Sequence, residues 1–310
     1  MTPPRRPLPT AARVAVGSVT FLLFVANTFL WCALLYVVTF LKLAVPVPPW
    51  RRAASRLLVA IAEAWIGVNT FALRVTQPTV HDVSGLEGLR RDVSYLVVSN
   101  HQSWVDIPVL QGVFLRKIPF LRFFLKQQLL RVPFLGLAWW ALDFPFMKRH
   151  SREALERNPE LRHEDLAATR RACERFRHAP ASILNFVEGT RFTAAKHARS
   201  GSPFRHLLPP KAGGLAFAAS AMGPQLAGVV DVTIVYPHGS PTFWDLISLG
   251  LPEVVVRVEE RPIPEAWFTG DYAEDAAFRE GVQEWVRALF AEKDAEIDRV
   301  LALRSGPSSR

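Results

Sequence analysis

An α/β domain with a mostly parallel central sheet flanked by helices, preceded by an N-terminal membrane helix, is the fold class the sequence predicts. Three observations predict it. Short β-branched apolar runs alternate with amphipathic helical patterns through the last three quarters of the chain, the signature of strands joined by crossover helices. Two of those runs, Tyr95–Ser99 and Ser182–Val187, end abruptly in polar turns. A long uncharged stretch, Val14 to Leu41, stands ahead of all of them.

Residues 1–13 are rich in Pro and Arg and read as a disordered basic tail. The 28 residues 14–41 carry no formal charge. As one helix they would extend about 42 Å, against a hydrocarbon core of roughly 30 Å. A cleavable signal has a shorter apolar core and a small-residue cleavage site, so 14–41 is read as a retained membrane segment. A tilted span is the first expectation, and a shallow hairpin bending near Asn27-Thr28 the second. Val45-Pro-Val-Pro-Pro-Trp50 then breaks the helix. Residues 45–71 follow as an amphipathic helix at the membrane interface, with Leu57, Leu58, Ile61, Trp65 and Val68 at helical spacing. A core helix packed on the domain fits the same spacing. Residues 72–304 make the globular domain. Its strands are expected at Leu73–Val75, Tyr95–Ser99, Phe144–Met147, Ser182–Val187, Val229–Tyr236 and Val254–Val258, with helices after Asp106 and over His163–Phe176. Asp271–Leu303 has an apolar face and reads as a surface helix closing the fold.

Composition narrows the function. Half of the 310 residues are hydrophobic and the net charge is +9. Seven cations (Arg5, Arg6, Arg13, Lys42, Arg51, Arg52, Arg56) precede the first acid, Glu63. Cations bordering an apolar run point to anionic lipid headgroups rather than to nucleic acid. The two cysteines make neither a disulfide framework nor a metal cluster, and reducing, cytoplasmic surroundings fit them. No G-x-S-x-G elbow, P-loop or G-x-G-x-x-G follows a strand. No His/Cys/Asp set has zinc spacing.

The chemistry concentrates in two turns. After Tyr95–Ser99 come Asn100, His101 and, five residues on, Asp106. Residues five apart on one helix lie about 140° apart, so the pair meets only if the chain turns between them. Ile107-Pro108 after Asp106 is a good helix start. Strand, tight loop and helix would then set His101 beside Asp106 as a general base with its tautomer held by a carboxylate. A loop histidine and a plain N-cap are the other reading of the same residues. The second turn is Glu188-Gly189-Thr190-Arg191 after Ile183–Val187. Gly permits close backbone approach, and Thr and Arg offer donors to an anion. No acid occurs between Glu188 and Asp231, while Arg191, Lys196, Arg199, Arg205 and Lys211 do. A phosphate-bearing ligand explains that bias better than a solvated face does, and a solvated face is the alternative reading for the distal Arg199 and Arg205. A further acid-free interval, Asp106 to Asp143, mixes five cations with many apolar residues, as suits a lipid tail and its headgroup.

With Asn100-His101-x4-Asp106 and Phe186-Val187-Glu188-Gly189-Thr190-Arg191 both present, the chain resembles the 1-acylglycerol-3-phosphate acyltransferase family of glycerolipid acyltransferases. The resemblance runs from about Leu73 to Pro262. Lys126 with Pro133 and Gly136 is similar to the family's intermediate motif, and Phe146-Met147-Lys148-Arg149 to its arginine-ended block. Asp231–Tyr236 resembles the last block of the lysocardiolipin-type and bacterial inner-membrane subgroup. Val187 stands where many members carry proline, and this too favours the subgroup.

The resemblance implies the glycerol-phosphate acyltransferase fold and an O-acyltransferase. It would move an acyl group from acyl-CoA or acyl carrier protein to a lysophospholipid hydroxyl, such as that of 1-acylglycerol-3-phosphate. His101 would be the base and Asp106 its orienting partner. Glu188, Gly189, Thr190, Arg191, Arg149 and Lys126 would bind substrate. No metal or cofactor is implied beyond the thioester donor. Membrane lipids are the expected partners, nucleic acid is not, and the expected location is the cell inner membrane with the domain on its cytoplasmic face. A non-catalytic lipid-binding protein of the same fold and an acyl-thioesterase are the rival functions.

Overall fold

The computed structural model describes residues 9–147, 176, 180–272 and 274–305. Its main sheet is built from β1 (Val80–Ser84), β2 (Ser94–Ser99), β3 (Leu121–Phe123), β6 (Ser182–Phe186), β7 (Leu226–Val235) and β8 (Glu253–Arg261). These six strands lie in the order β1-β8-β7-β2-β6-β3. Four of the five pairings are parallel, and only β7 with β8 is antiparallel. A second sheet pairs β4 (Leu125–Lys126) with β5 (Phe146–Met147).

Strand β2 is buried along its whole length, as its unbroken apolar run requires of a central parallel strand. Tyr95 and Val97 enter one apolar layer, while Leu96 and Val98 enter the other. The first layer lies under α1 (Thr10–Ala44), α2 (Pro48–Thr76) and α3 (Asp106–Phe114). The second lies under the helix Gly213–Met222 and the C-terminal helix Ala276–Arg304.

Several expectations are corrected. Leu73–Val75 is no strand: α2 continues to Thr76, so the apolar run stays on a helix already in progress. Helix α1 is unbroken through Asn27-Thr28, and the chain reverses instead at residues 45–47, where Pro46 and Pro48 stop and restart helix. At the predicted bend, the Asn27 amide donates to the Trp65 carbonyl (3.1 Å) and to Asn69 (2.8 Å), tying the two helices together. The region expected as strand Phe144–Met147 contributes only Phe146–Met147, outside the main sheet. The expected helix His163–Phe176 lies outside the described residues except for Phe176.

Helices α1 and α2 are each long and apolar enough to cross a membrane. Contacts with the domain follow α1 along much of its length. Near its start Arg13 pairs with Asp245 (3.2 Å) and donates to the Ser248 carbonyl (3.1 Å). Further along, Phe24 meets Phe243 and Phe29 meets Phe134, edge to face. Near its end the Tyr36 hydroxyl donates to the Phe134 carbonyl. Helix α2 is held by Glu63, buried and paired through both oxygens with Arg91 (2.6 Å each). At the close of α2, Gln77 donates to the Ile247 carbonyl and accepts from Leu249.

Candidate active site

The C-terminal ends of β2, β6 and β7 lie side by side, because Ser99 is in register with both Phe186 and Val232. Open α/β sheets bind ligands at such an edge. Asn100 closes the end of β2 by exchanging two hydrogen bonds with Ile234 on β7, each 2.9 Å, in the manner of one more ladder rung. The backbone then turns, and the turn brings the two polar groups of the first motif together: His101 Nδ1 lies 2.8 Å from Asp106 Oδ2.

Asp106 opens α3 without capping it. Its carboxylate faces back into the loop, where Oδ2 accepts the backbone N–H groups of Gln102 (2.7 Å) and Ser103 (3.0 Å). The Tyr236 hydroxyl donates to Oδ1 (2.7 Å). The group is fully buried, with relative exposure 0%. With the carboxylate as the acceptor of this contact, Nδ1 is its donor, the tautomer that leaves Nε2 as the accepting nitrogen. The imidazole also stacks on Phe186, with ring centroids 3.9 Å apart and planes 15° from parallel. Carboxylate and ring together leave the imidazole one orientation.

The second motif is tied to the first. Gly189 adopts φ +70°, a backbone conformation that glycine takes without steric cost, and its N–H closes a turn on the Phe186 carbonyl (2.8 Å). The Phe192 N–H then donates to the His101 carbonyl (2.7 Å), locking the two turns together. Glu188 departs from its expected place at a phosphate. Only 2% exposed, it receives the His101 N–H on Oε1 (2.8 Å) and the Leu208 N–H on Oε2 (2.9 Å). Burial pushes its carboxyl up to about 7; the two amide bonds oppose this, Asp106 adds to it, and Lys293 opposes it.

The cationic side of the site comes from Arg191 and Lys196. Lys196 Nζ donates to Thr190 Oγ1 (2.7 Å) and to the Arg191 carbonyl (2.9 Å). The Arg191 guanidinium sits over the Trp104 ring, 4.6 Å from its centroid. Lys126 stands exposed on β4, and no hydrogen bond joins it to the cluster among the described residues. Arg149 lies outside the described residues. Tyr236, Phe186 and Trp104 were not singled out from the sequence as site residues. Only the position of Tyr236, one residue past a buried strand, hinted at the same sheet edge.

Beside this edge opens an apolar cavity of about 780 Å³ between α1, α2, α3 and the segment 120–144. Trp104, Ile107 and Phe243 line it on the side of the His101 loop, and Cys32, Leu35 and Leu142 are among its other lining residues. The size is that of small-molecule sites. Among the described residues no group of His, Cys, Asp and Glu could hold a metal ion.

Glu188 predicts a pH effect. Its folded value near 7 stands above the ordinary 4.5, so the folded state holds this proton more tightly than the unfolded chain. Its contribution to stability is complete below about 4.5 and is lost as pH rises through 7. The loss amounts to about 3 kcal/mol. Thermal melts in detergent at pH 5.5 and 8 should show about 2 kcal/mol of it, and Glu188→Gln should flatten that difference. The same variant should also melt lower at both values, since an amide can accept from only one of the two backbone N–H groups without opposing donors.

Comparison with known proteins completes the picture of the site. Residues 80–237 match the family described as "Acyltransferase". The chain is 28% identical over 235 residues to "1-acyl-sn-glycerol-3-phosphate acyltransferase 2" of Arabidopsis thaliana, covering 69% of this chain and 54% of that protein. It is 25% identical over 181 residues to "1-acyl-sn-glycerol-3-phosphate acyltransferase gamma" of Mus musculus, covering 55% and 43%. The chain thus spans about half the length of the curated relatives it matches. Its fold is similar to the crystal structure of the 1-acyl-sn-glycerophosphate (LPA) acyltransferase PlsC from Thermotoga maritima. That likeness has a TM-score of 0.53 at 20% identity and covers 90% of this chain and 98% of that one.

Proposed function

The chain belongs to the acyltransferase family, and on that premise we propose that it transfers a fatty acyl group from a thioester, acyl-CoA or acyl carrier protein, to the hydroxyl of a lysophospholipid. The observation that carries this reading is one juxtaposition. A histidine oriented by a buried carboxylate is hydrogen-bonded through its carbonyl to the turn that carries Arg191, and Trp104 on the histidine's own loop lines an apolar cavity. A base, an anion site and a chain site are the three things such a transfer needs.

His101 Nε2 takes the proton of the acceptor hydroxyl as its oxygen attacks the thioester carbonyl. The tetrahedral intermediate collapses, breaks the carbon–sulfur bond and releases thiolate, which receives the proton back from the imidazolium. Asp106 stabilises that imidazolium without itself taking a proton. Arg191 and Lys196 hold the acceptor phosphate by charge-assisted hydrogen bonds, and the cavity holds a fatty chain. Glu188 is a positioning residue that keeps the two turns in register. Arg149 and Lys126 keep their proposed roles at the acceptor by resemblance alone.

The hairpin of α1 and α2 is proposed to seat the domain on the cytoplasmic face of the cell membrane. Its exposed residues include Leu22, Leu30, Phe40 and Phe71. The opposite flank is taken up by the domain, and so the hairpin enters one leaflet instead of leaving the domain to span two.

The test is release of free thiol from acyl-CoA by the purified full chain in detergent, with and without lysophosphatidate. Release that requires the acceptor is expected. Equal release without it makes the protein a thioesterase, and binding of both lipids with no release makes it a lipid-binding protein.

A further inference from the structure

The contact between Trp104 and Arg191 has no place in the proton chemistry, yet it joins the two halves of the site. Trp104 lies on the loop between His101 and Asp106, and its side chain is one wall of the apolar cavity. Large as it is, it remains 57% exposed. Over its ring sits the Arg191 guanidinium, at 4.6 Å. Among the described residues no carboxylate pairs with Arg191. The nearest acid in sequence, Glu188, has both oxygens on backbone amides. Lys196, held on the same turn by Thr190 and the Arg191 carbonyl, adds a second cation rather than a counter-charge.

An arginine without an ion-pair partner explores many rotamers, and recognition of phosphate by its planar fork needs one. An indole face attracts a guanidinium and restricts it, while the N–H groups along the guanidinium edge stay available. We propose that Trp104 is a positioning residue for the acceptor: its ring holds Arg191 at the mouth of the apolar cavity, so that a phosphate is bound within a glycerol's reach of His101 while the attached chain meets the cavity wall. This rests on the acyl-transfer reading above and adds to it a determinant of acceptor choice. The ligand it selects is a single-chain lipid ending in a phosphate, in preference to an uncharged monoacylglycerol.

Two variants separate this role from that of a plain apolar wall. Trp104→Leu keeps the apolar side chain and removes the π face, whereas Trp104→Phe keeps a face. The residue is exposed, so both variants should melt as wild type does. Equilibrium binding of lysophosphatidate and of monoacylglycerol to the full chain in detergent is measured alongside steady-state kinetics. For Trp104→Leu, lysophosphatidate binding should weaken and its KM should rise by about 2- to 30-fold, with kcat unchanged. Trp104→Phe should restore most of the loss, and monoacylglycerol binding should weaken far less than lysophosphatidate binding in Trp104→Leu. Unchanged lysophosphatidate binding in Trp104→Leu overturns the proposal. So does an equal loss for both lipids, or a fall in kcat at constant KM. The binding arm needs no turnover. If the wild type binds lysophosphatidate through Trp104 but transfers nothing, the acyl-transfer reading fails and the positioning role stands.

Discussion

His101→Ala should lower acceptor-dependent thiol release by about 10²–10⁴-fold, the range for removal of a general base. Its melting temperature should stay close to wild type. Among the described residues the side chain makes one hydrogen bond and one stacking contact, and the backbone N–H that anchors Glu188 survives the substitution. Histidine is therefore a cleaner target than its partner. Asp106 accepts from four donors: His101, the Gln102 and Ser103 backbones, and Tyr236. An asparagine there must turn its NH2 toward some of them, so Asp106→Asn mixes lost chemistry with a damaged loop. Comparing kcat with melting temperature for both variants distinguishes the cases. Full turnover by the alanine variant at an unchanged melting temperature would remove His101 from the mechanism.

Why the sequence made this dyad visible, and other parts of the site not, follows from the range of the interactions. His101 and Asp106 are five residues apart, and the local signals are strong: an apolar strand, an abrupt polar stop and a proline in the next helical turn. The same holds for Gly189 and Arg191 after β6. What escaped reading is long-range. Tyr236 reaches Asp106 across 130 positions, and Asn100 meets Ile234 across 134. Such pairings depend on which strands become neighbours. Glu188 was legible as part of the turn, but its role was not, because a buried carboxylate and a ligand-facing one look alike in sequence. Leu73–Val75 misled for a different reason. Three apolar residues suit a strand and a helix equally, and the helix already running through α2 decided the matter. Strands β1 and β3 were missed because β1 is a half-exposed edge with a mixed pattern and β3 is only three residues long.

The deepest charge outside the site supplies the largest stability effect. Lys293, on the C-terminal helix, is fully buried and directs its ammonium at Asp231 Oδ1 (2.5 Å), the Val232 carbonyl (2.7 Å) and Thr233 Oγ1 (3.1 Å) on β7. Burial lowers its affinity for a proton, and Asp231 opposes that. Truncation to Lys293→Ala leaves Asp231 buried, with Arg261 at 3.6 Å as its remaining cation among the described residues. Breaking a buried pair from one side costs about 3–5 kcal/mol, and the residual Arg261 contact argues for the lower end. In a domain of this size that is a fall in melting temperature of roughly 6–12 °C. Removing both charges in Lys293→Met with Asp231→Leu should recover much of the loss, since a well-packed apolar pair escapes the desolvation penalty. Failure of the double variant to recover would mean that Asp231 is needed for its ion pair with Arg261 rather than as the counter-ion of Lys293. The strand at stake is the one that carries Ile234 to Asn100 and ends beside Tyr236 at Asp106. The C-terminal helix, to which the sequence assigns no chemistry, therefore bears on how firmly the sheet edge carrying His101 is held: a folded Lys293→Ala protein should lose stability well before it loses the His101–Asp106 geometry, and its kcat at 20 °C should change far less than its melting temperature implies.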